Sequence, residues 1–329
     1  MNRCVGCGSL LQSNDKEKEG YTQNISNTLC ERCFRIRNYN DYKLISKDNN
    51  DFISILKNIN KTNSLVVLVV DLFNIPKNLS EIKEYINNDI LLVLTKRDIL
   101  PLSVYDVNLI NYFKKYDLNI VDTVIISSCK NYHFDELLIK IRKYQKDNNV
   151  YIVGFTNAGK STMINKILYN YTDQKTIITT SMLPSTTIDS IKIKIDSNLT
   201  LIDTPGLLDD GNIIDNVDVK TMKKIVPVKE IKPKTYQIKS KQTLLVDDLL
   251  RLDLEHKNSV TFYLANTLKI TRLYKETDKL DNLVRHEIDV CAFNDIVIAG
   301  LGFIKFVEAD HVVLYTLDNV DVYVRMSLI

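Results

Sequence analysis

The sequence predicts an α/β protein: a mostly parallel sheet, preceded by a small four-cysteine module and followed by a β-rich domain. Three observations carry that expectation. Apolar, β-branched runs alternate with helical patterns from about residue 49 to 215, the periodicity of strand–helix–strand units. Two Cys-x-x-Cys pairs, Cys4/Cys7 and Cys30/Cys33, stand ahead of it. Short strand-like runs without long helical patterns fill the last third.

Taken in order, residues 1–48 hold the four cysteines around a polar, charged stretch. Too few large apolar residues are present there to build a core, so a metal would have to supply it. In the 49–215 unit, Ser64–Asp71 reads as a buried strand, followed by Ile90–Thr95 and Val121–Ser127. Val150–Val153 is the next strand, and Lys160–Leu168 reads as the helix behind it. Ile191–Ile195 and Leu199–Asp203 alternate like a hairpin. In the 216–329 unit, residues 220–241 carry eight lysines against one glutamate, with Pro227 and Pro233 interrupting any helix. Strand-like runs follow at Val260–Leu264, Ile296–Ala299, Phe303–Val307, Val312–Leu317 and Val320–Arg325.

The chain has 329 residues, 45% of them hydrophobic, enough to bury a full core in two or three domains. A net charge of +2 demands no polyanion partner in bulk, so any nucleic-acid affinity must come from local patches. The most apolar run, Leu65–Val70, is far shorter than the roughly 20 residues a membrane span needs. No charged-then-apolar leader precedes Cys4, and the chain reads as cytoplasmic. In a reducing compartment, paired cysteines at this spacing point to metal rather than disulfides.

Gly154-Phe155-Thr156-Asn157-Ala158-Gly159-Lys160-Ser161 fits G-x-x-x-x-G-K-S between a strand and a helix. The glycines let backbone N–H groups wrap phosphate oxygens, and the helix N-terminus, which continues through Thr162, adds partial positive charge. Lys160 is expected to reach the β and γ phosphates, and Ser161 to hold Mg²⁺. Asp203-Thr204-Pro205-Gly206 follows, with Asp203 placed to act on Mg²⁺ through water and the Gly206 N–H to sense the γ phosphate. Between them lies Pro184-Ser185-Thr186-Thr187-Ile188-Asp189. A threonine here, Thr187 in preference to Thr186, would complete the Mg²⁺ shell; the alternative is a polar turn.

Thr95-Lys96-Arg97-Asp98 ends the Ile90–Thr95 run, and Ser128-Cys129-Lys130 follows the Val121–Ser127 run. The Asp98 carboxylate can accept hydrogen bonds from N1–H and the 2-amino group of guanine, which adenine lacks. Lys96 can lay its stem over the base, and the backbone at Cys129 and Lys130 can face the guanine oxygen. The first residue of such a signature is usually Asn; Thr95 is shorter and has no amide to bridge loops, which counts against nucleotide affinity but not against guanine choice. The base signatures precede the phosphate signatures along the chain. That order describes a circularly permuted P-loop GTPase domain taking GTP and GDP.

Leu207 and Leu208 follow Gly206, where a Gln would orient the attacking water. Hydrolysis is then slow, or depends on groups from elsewhere. Asn157 offers one route, by holding a K⁺ ion whose charge offsets that of the phosphates; its other reading is a loop-stabilising hydrogen bond. The Cys4, Cys7, Cys30, Cys33 set matches tetrahedral Zn²⁺ with no open position, hence a structural role. Arg32, Arg35 and Arg37 beside it would meet RNA phosphate or form a solvated face.

With these residues together the chain resembles the YqeH family of circularly permuted GTPases over nearly its whole length. The resemblance rests on the cysteine head, Val69-Val70-Asp71, Thr95-Lys96-Arg97-Asp98-Ile99-Leu100-Pro101, the phosphate loop, Pro184–Asp189 and Asp203–Gly206. Lys229-Glu230-Ile231-Lys232-Pro233-Lys234 and Gly300-Leu301-Gly302-Phe303 are similar to that family's C-terminal region. Thr95 for Asn and Ser185 for Gly are departures. The resemblance implies a GTP-gated factor in assembly of the small ribosomal subunit, with rRNA or a ribosomal precursor as partner and neither DNA nor membrane. Because of the permutation the switch segment runs straight into the basic connector, so loss of the γ phosphate would shift residues 216–241. The alternative is an RNA-binding module in which GTP only sets shape. An ATP-dependent kinase would need a base site without Asp98.

Overall fold

The computed structural model describes residues 3–4, 9–15, 20–31, 33, 49–172, 191–207, 211–275 and 277–329. The chain divides into two compact units, Met1–Arg97 with Tyr116–Asp209, and Asp98–Lys115 with Asp210–Ile329.

The first unit is built on a six-stranded sheet. Helix α1 (Asn49–Ile59) leads into β1 (Leu65–Asp71), then β2 (Ile90–Thr95), β3 (Ile120–Ile125), α3 (Phe134–Tyr144), β4 (Asn149–Gly154), α4 (Lys160–Tyr171), β5 (Ile191–Lys194) and β6 (Thr200–Asp203). Helix α2 (Asp106–Phe113) belongs to the other unit. The strand order is β3-β2-β1-β4-β6-β5, parallel except for the β5–β6 hairpin. Every residue of β1 and β2 is buried, as continuous apolar strands in a parallel sheet require. One face carries Val67, Val69, Leu91, Val93 and Ile152 against Phe134, Leu137 and Ile141 of α3 and Met163, Ile164 and Ile167 of α4. These helices bury i, i+3/i+4 stripes, which is why amphipathic segments formed them. All parallel strands end on one side, so the residues that follow β1, β2, β4 and β6 gather along a single edge.

The second unit is antiparallel. One sheet has the order β16-β13-β14-β10-β7, from β7 (Lys234–Ile238), β10 (Asn258–Leu264), β13 (Asn294–Ile298), β14 (Gly302–Phe306) and β16 (Val322–Met326). The other has the order β11-β8-β9-β15-β12, from β8 (Gln242–Val246), β9 (Leu250–Leu254), β11 (Ile270–Leu273), β12 (Val284–Val290) and β15 (Asp310–Thr316). Phe262, Phe303 and Phe306 are fully buried, and Tyr263 stacks on Phe303 at 4.7 Å. Helix α5 (Val219–Ile225) starts at Asp218, whose side chain caps Thr221 N, and stops before Pro227, as the proline requires.

The Asp98–Lys115 segment is fastened into this second unit. Ile231 N donates to Ile99 O at 2.8 Å and Leu102 N to the Glu230 carboxylate at 2.9 Å. Burial, together with the charge of Arg325, pushes the Lys115 ammonium down to about 8. At the other crossing, Asp321 N donates to Gly211 O at 2.8 Å and Ile213 N to Ala299 O at 2.9 Å.

Gly154 marks the closest approach within the sheet. A Cβ there would lie 2.3 Å from Val69 O, across the β1–β4 pair. Gly154→Ala is therefore expected to force β4 from β1 and cost about 1–3 kcal/mol of stability. A thermal melt indistinguishable from wild type would show that the strands accommodate a side chain there.

Candidate nucleotide-binding site

The phosphate loop leaves β4 at Gly154 and enters α4 at Lys160. Asn157 (φ 59°) and Gly159 (φ 92°) are left-handed, and these turns coil the backbone around the space before the helix N-terminus. Lys160 is buried, and its Nζ donates to Gly154 O at 2.8 Å and Phe155 O at 3.1 Å. Burial lowers its pKa to about 8, against the opposing pull of Asp203. Asp203 is fully buried at the end of β6, and the Thr204 hydroxyl donates to Ile152 O at 2.8 Å. Ser161 is half-buried, Thr162 exposed and Ala158 buried.

Gly206 and Leu207 sit against this loop. A Cβ on Gly206 would come 2.9 Å from Lys160 Nζ and 3.1 Å from Thr156 Cγ2. Leu207 pairs with Phe155: Thr156 N donates to Leu207 O at 2.8 Å, and Leu207 N to Gly154 O at 3.0 Å. The residue in the usual position of the water-orienting Gln is thus tied to the phosphate loop by its backbone.

Thr95 corrects the expectation of a missing loop bridge. Its buried hydroxyl donates to Ala158 O at 2.6 Å, joining the end of β2 to the phosphate loop without an amide. The close spacing of the loops makes the shorter side chain sufficient. Lys96 follows in a left-handed conformation (φ 59°), its Nζ 2.7 Å from the Asp71 carboxylate. From the sequence, Asp71 has no role beyond its place in Val69-Val70-Asp71; its ion pair brings it to the base signature. Asp98 is half-buried and opens the segment belonging to the second unit. The Ser128-Cys129-Lys130 turn is closed by the Ser127–Tyr132 backbone pair, with Lys130 N donating to Ser127 Oγ at 3.1 Å. Cys129 is exposed.

In the N-terminal segment, the sulfurs of Cys4, Cys30 and Cys33 lie within 4.8 Å of one another, all buried. Cys30 N donates to Cys4 Sγ at 3.2 Å and Cys33 N to Cys30 Sγ at 3.5 Å. Backbone donors aimed at sulfur suit thiolates, and roughly 3.8 Å between sulfurs is what tetrahedral Zn–S bonds of about 2.3 Å require. The donor set therefore fits a metal. Cys7, Thr186, Thr187, Leu208 and Arg32, Arg35 and Arg37 lie outside the described residues. Among the described residues, no helix is long and apolar enough to cross a membrane.

A phosphate loop after β4, a buried Asp203 ahead of the switch glycine at the end of β6, and Thr95-Lys96 at the end of β2 share one parallel sheet, and with the Thr-Lys-x-Asp signature in the sequence they define a P-loop GTPase. Comparison with known proteins agrees. Residues 43–211 match the RsgA GTPase family, and residues 149–276 match the family described as 50S ribosome-binding GTPase. The chain is 36% identical over 361 aligned residues to the protein YqeH of Bacillus subtilis, covering 99% of both chains. It is 24% identical to the chloroplastic GTP-binding protein Brassinazole insensitive pale green 2 of Arabidopsis thaliana, covering 99% of this chain and 62% of that one. A shorter stretch, 30% of this chain and 24% of the relative, is 36% identical to GTPase Der of Clostridium botulinum. The chain belongs to the YqeH-type circularly permuted GTPases.

With Lys160 at about 8, only its protonated form offers charge to a phosphate. An anionic ligand raises that pKa, so binding takes up a proton, and affinity falls as pH rises past 8. GDP affinity is expected to be about fourfold weaker at pH 8.5 than at pH 7, from the protonated fractions for a pKa of about 8. Calorimetry at the two pH values checks this; equal affinities would mean that Lys160 stays protonated across this range.

Proposed function

We propose that the protein is a slow GTPase switch acting in assembly of the small ribosomal subunit, gripping rRNA or a ribosomal precursor through the modules that flank its G domain. The observation that carries this reading is the path of the switch chain. Leu207 is bonded to the phosphate loop, and by Gly211 the chain is already bonded to Asp321 of the C-terminal unit. In this reading a change at the γ phosphate would pass along the chain from Leu207 to Gly211 into that unit.

In this reading Lys160 neutralises the β and γ phosphates, aided by the backbone N–H groups of Asn157, Ala158, Gly159 and Ser161 at the helix start. Ser161 and Asp203, with Thr187, hold the Mg²⁺ that accompanies GTP, which supplies charge neutralisation at the transferring phosphoryl group. The Gly206 N–H senses the γ phosphate. Asp98 selects guanine, Lys96 covers the base, and the Ser128–Lys130 turn faces its oxygen. Asn157 holds K⁺, whose charge takes the place of an arginine finger. The four thiols of Cys4, Cys7, Cys30 and Cys33 hold Zn²⁺, which orders the N-terminal module.

The basic stretch supports the RNA-facing part. Lys224 pairs with Asp247, Lys241 with Glu255, and Lys234 bonds Leu268 O. Lys220, Lys223, Lys229, Lys232 and Lys239 are exposed, and exposed cations suit phosphate contacts that carry no sequence information. The second reading, a ribosome-binding module in which hydrolysis is incidental, is favoured by Leu207, which offers no side chain to orient water.

GTP turnover by the zinc-loaded protein, in K⁺ and in Na⁺, with small or large ribosomal subunits, separates these readings. The switch reading predicts stimulation by small subunits and faster turnover in K⁺. Binding to small subunits without stimulated turnover would favour the second reading. Stimulation by large subunits alone would move the partner, and equal rates in K⁺ and Na⁺ would remove the role of Asn157.

A further inference from the structure

We propose that Asp71 is a positioning residue for the guanine base, acting through Lys96. The inference rests on the reading of Lys96 as the residue that covers the base. Asp71 ends β1, directly opposite Thr95 in the parallel register, and its side chain is only 6% exposed. One carboxylate oxygen lies 2.7 Å from Lys96 Nζ, and the other accepts a bond from Phe73 N at 2.8 Å. The carboxylate is therefore fixed from two directions.

Lys96 is fixed at both ends as a result. Its backbone is held left-handed (φ 59°), and its ammonium is held by Asp71. A lysine stem stretched between two anchors offers its methylenes as a flat apolar surface, already ordered before a base arrives. Released from Asp71, the flexible chain would have to be ordered by the ligand itself, and the ammonium would turn to water. The geometry thus assigns Asp71 to base affinity, separate from the phosphate loop.

The test is calorimetric titration of GDP and of inorganic tripolyphosphate into wild type, Asp71→Asn, Lys96→Met and the double variant. Asn at 71 can still accept from Phe73 N but no longer carries charge for Lys96. Asp71→Asn is expected to weaken GDP about tenfold, the scale of one charge-assisted bond, and to leave tripolyphosphate binding unchanged. In the Lys96→Met background it is expected to add no further loss. Asp71→Glu keeps the charge one methylene away and is expected to retain part of the affinity; it also serves if Asp71→Asn fails to fold. Equal losses for GDP and tripolyphosphate, or a full further loss in the Lys96→Met background, would make Asp71 a structural residue only and overturn the proposal. If Lys96→Met itself leaves GDP affinity intact, the base-covering reading of Lys96 falls, and this inference falls with it. If Lys96→Met weakens GDP and Asp71→Asn does not, the inference alone falls.

Discussion

Backbone hydrogen bonds along β1 hold β2 on one side and β4 on the other, with Asp71 opposite Thr95 and Val69 opposite Gly154. In chain order the base signature belongs to β2 and the phosphate loop to β4, separated by more than fifty residues. In space they flank one strand. The register of β1 with both neighbours sets their C-terminal ends beside its own. Once they are aligned, the Thr95 hydroxyl can reach Ala158 O, and Asp71 can reach Lys96. The signatures are thus neighbours in the sheet although the base signature precedes the phosphate loop along the chain.

Permutation does change what the site is tied to. The chain crosses between units after Arg97, after Lys115 and after Asp209. The first crossing falls inside the base signature, just before Asp98, and the last falls just beyond the switch glycine. Asp98 is followed at once by Ile99, whose carbonyl is held by Ile231. Both Asp98, the candidate base-selecting residue, and the chain that follows the switch glycine thus run directly into the C-terminal unit. An ordinary chain order would join the second of these back into the same domain.

Much of this was legible in the sequence, because the phosphate loop, the switch and the strands are local patterns. The Gly-x-x-x-x-Gly-Lys-Ser pattern of residues 154–161 is read within eight positions, although the steric reason for Gly154 lies across the sheet at Val69. The Ile90–Thr95 and Val150–Val153 runs became strands because every second position had an apolar face to fill on each side. What escaped notice depends on distant partners. The Thr95–Ala158 bond spans 63 positions, and its length decides whether a hydroxyl can stand in for an amide. The Asp71–Lys96 pair spans 25. Nothing in Asp98–Lys115 announces that it packs with the C-terminal strands. In that unit, β12 escaped because Val284–Val290 is mostly exposed and charged, so its alternation carries little apolar signal. β8 (Gln242–Val246) and β9 (Leu250–Leu254) are buried and escape for another reason: each is only five residues long and polar residues flank it.

The central claim is that a base signature lying upstream of the phosphate loop reads guanine through Asp98. Asp98→Asn tests it most directly, with affinities for GTP and xanthosine triphosphate measured side by side. An amide at 98 can no longer accept both guanine donors, but it can donate to the extra carbonyl of xanthine. The account predicts that GTP binding weakens on the order of a hundredfold while xanthosine triphosphate binding strengthens. An unchanged preference for GTP would contradict it, and would mean that the guanine is read elsewhere in the chain.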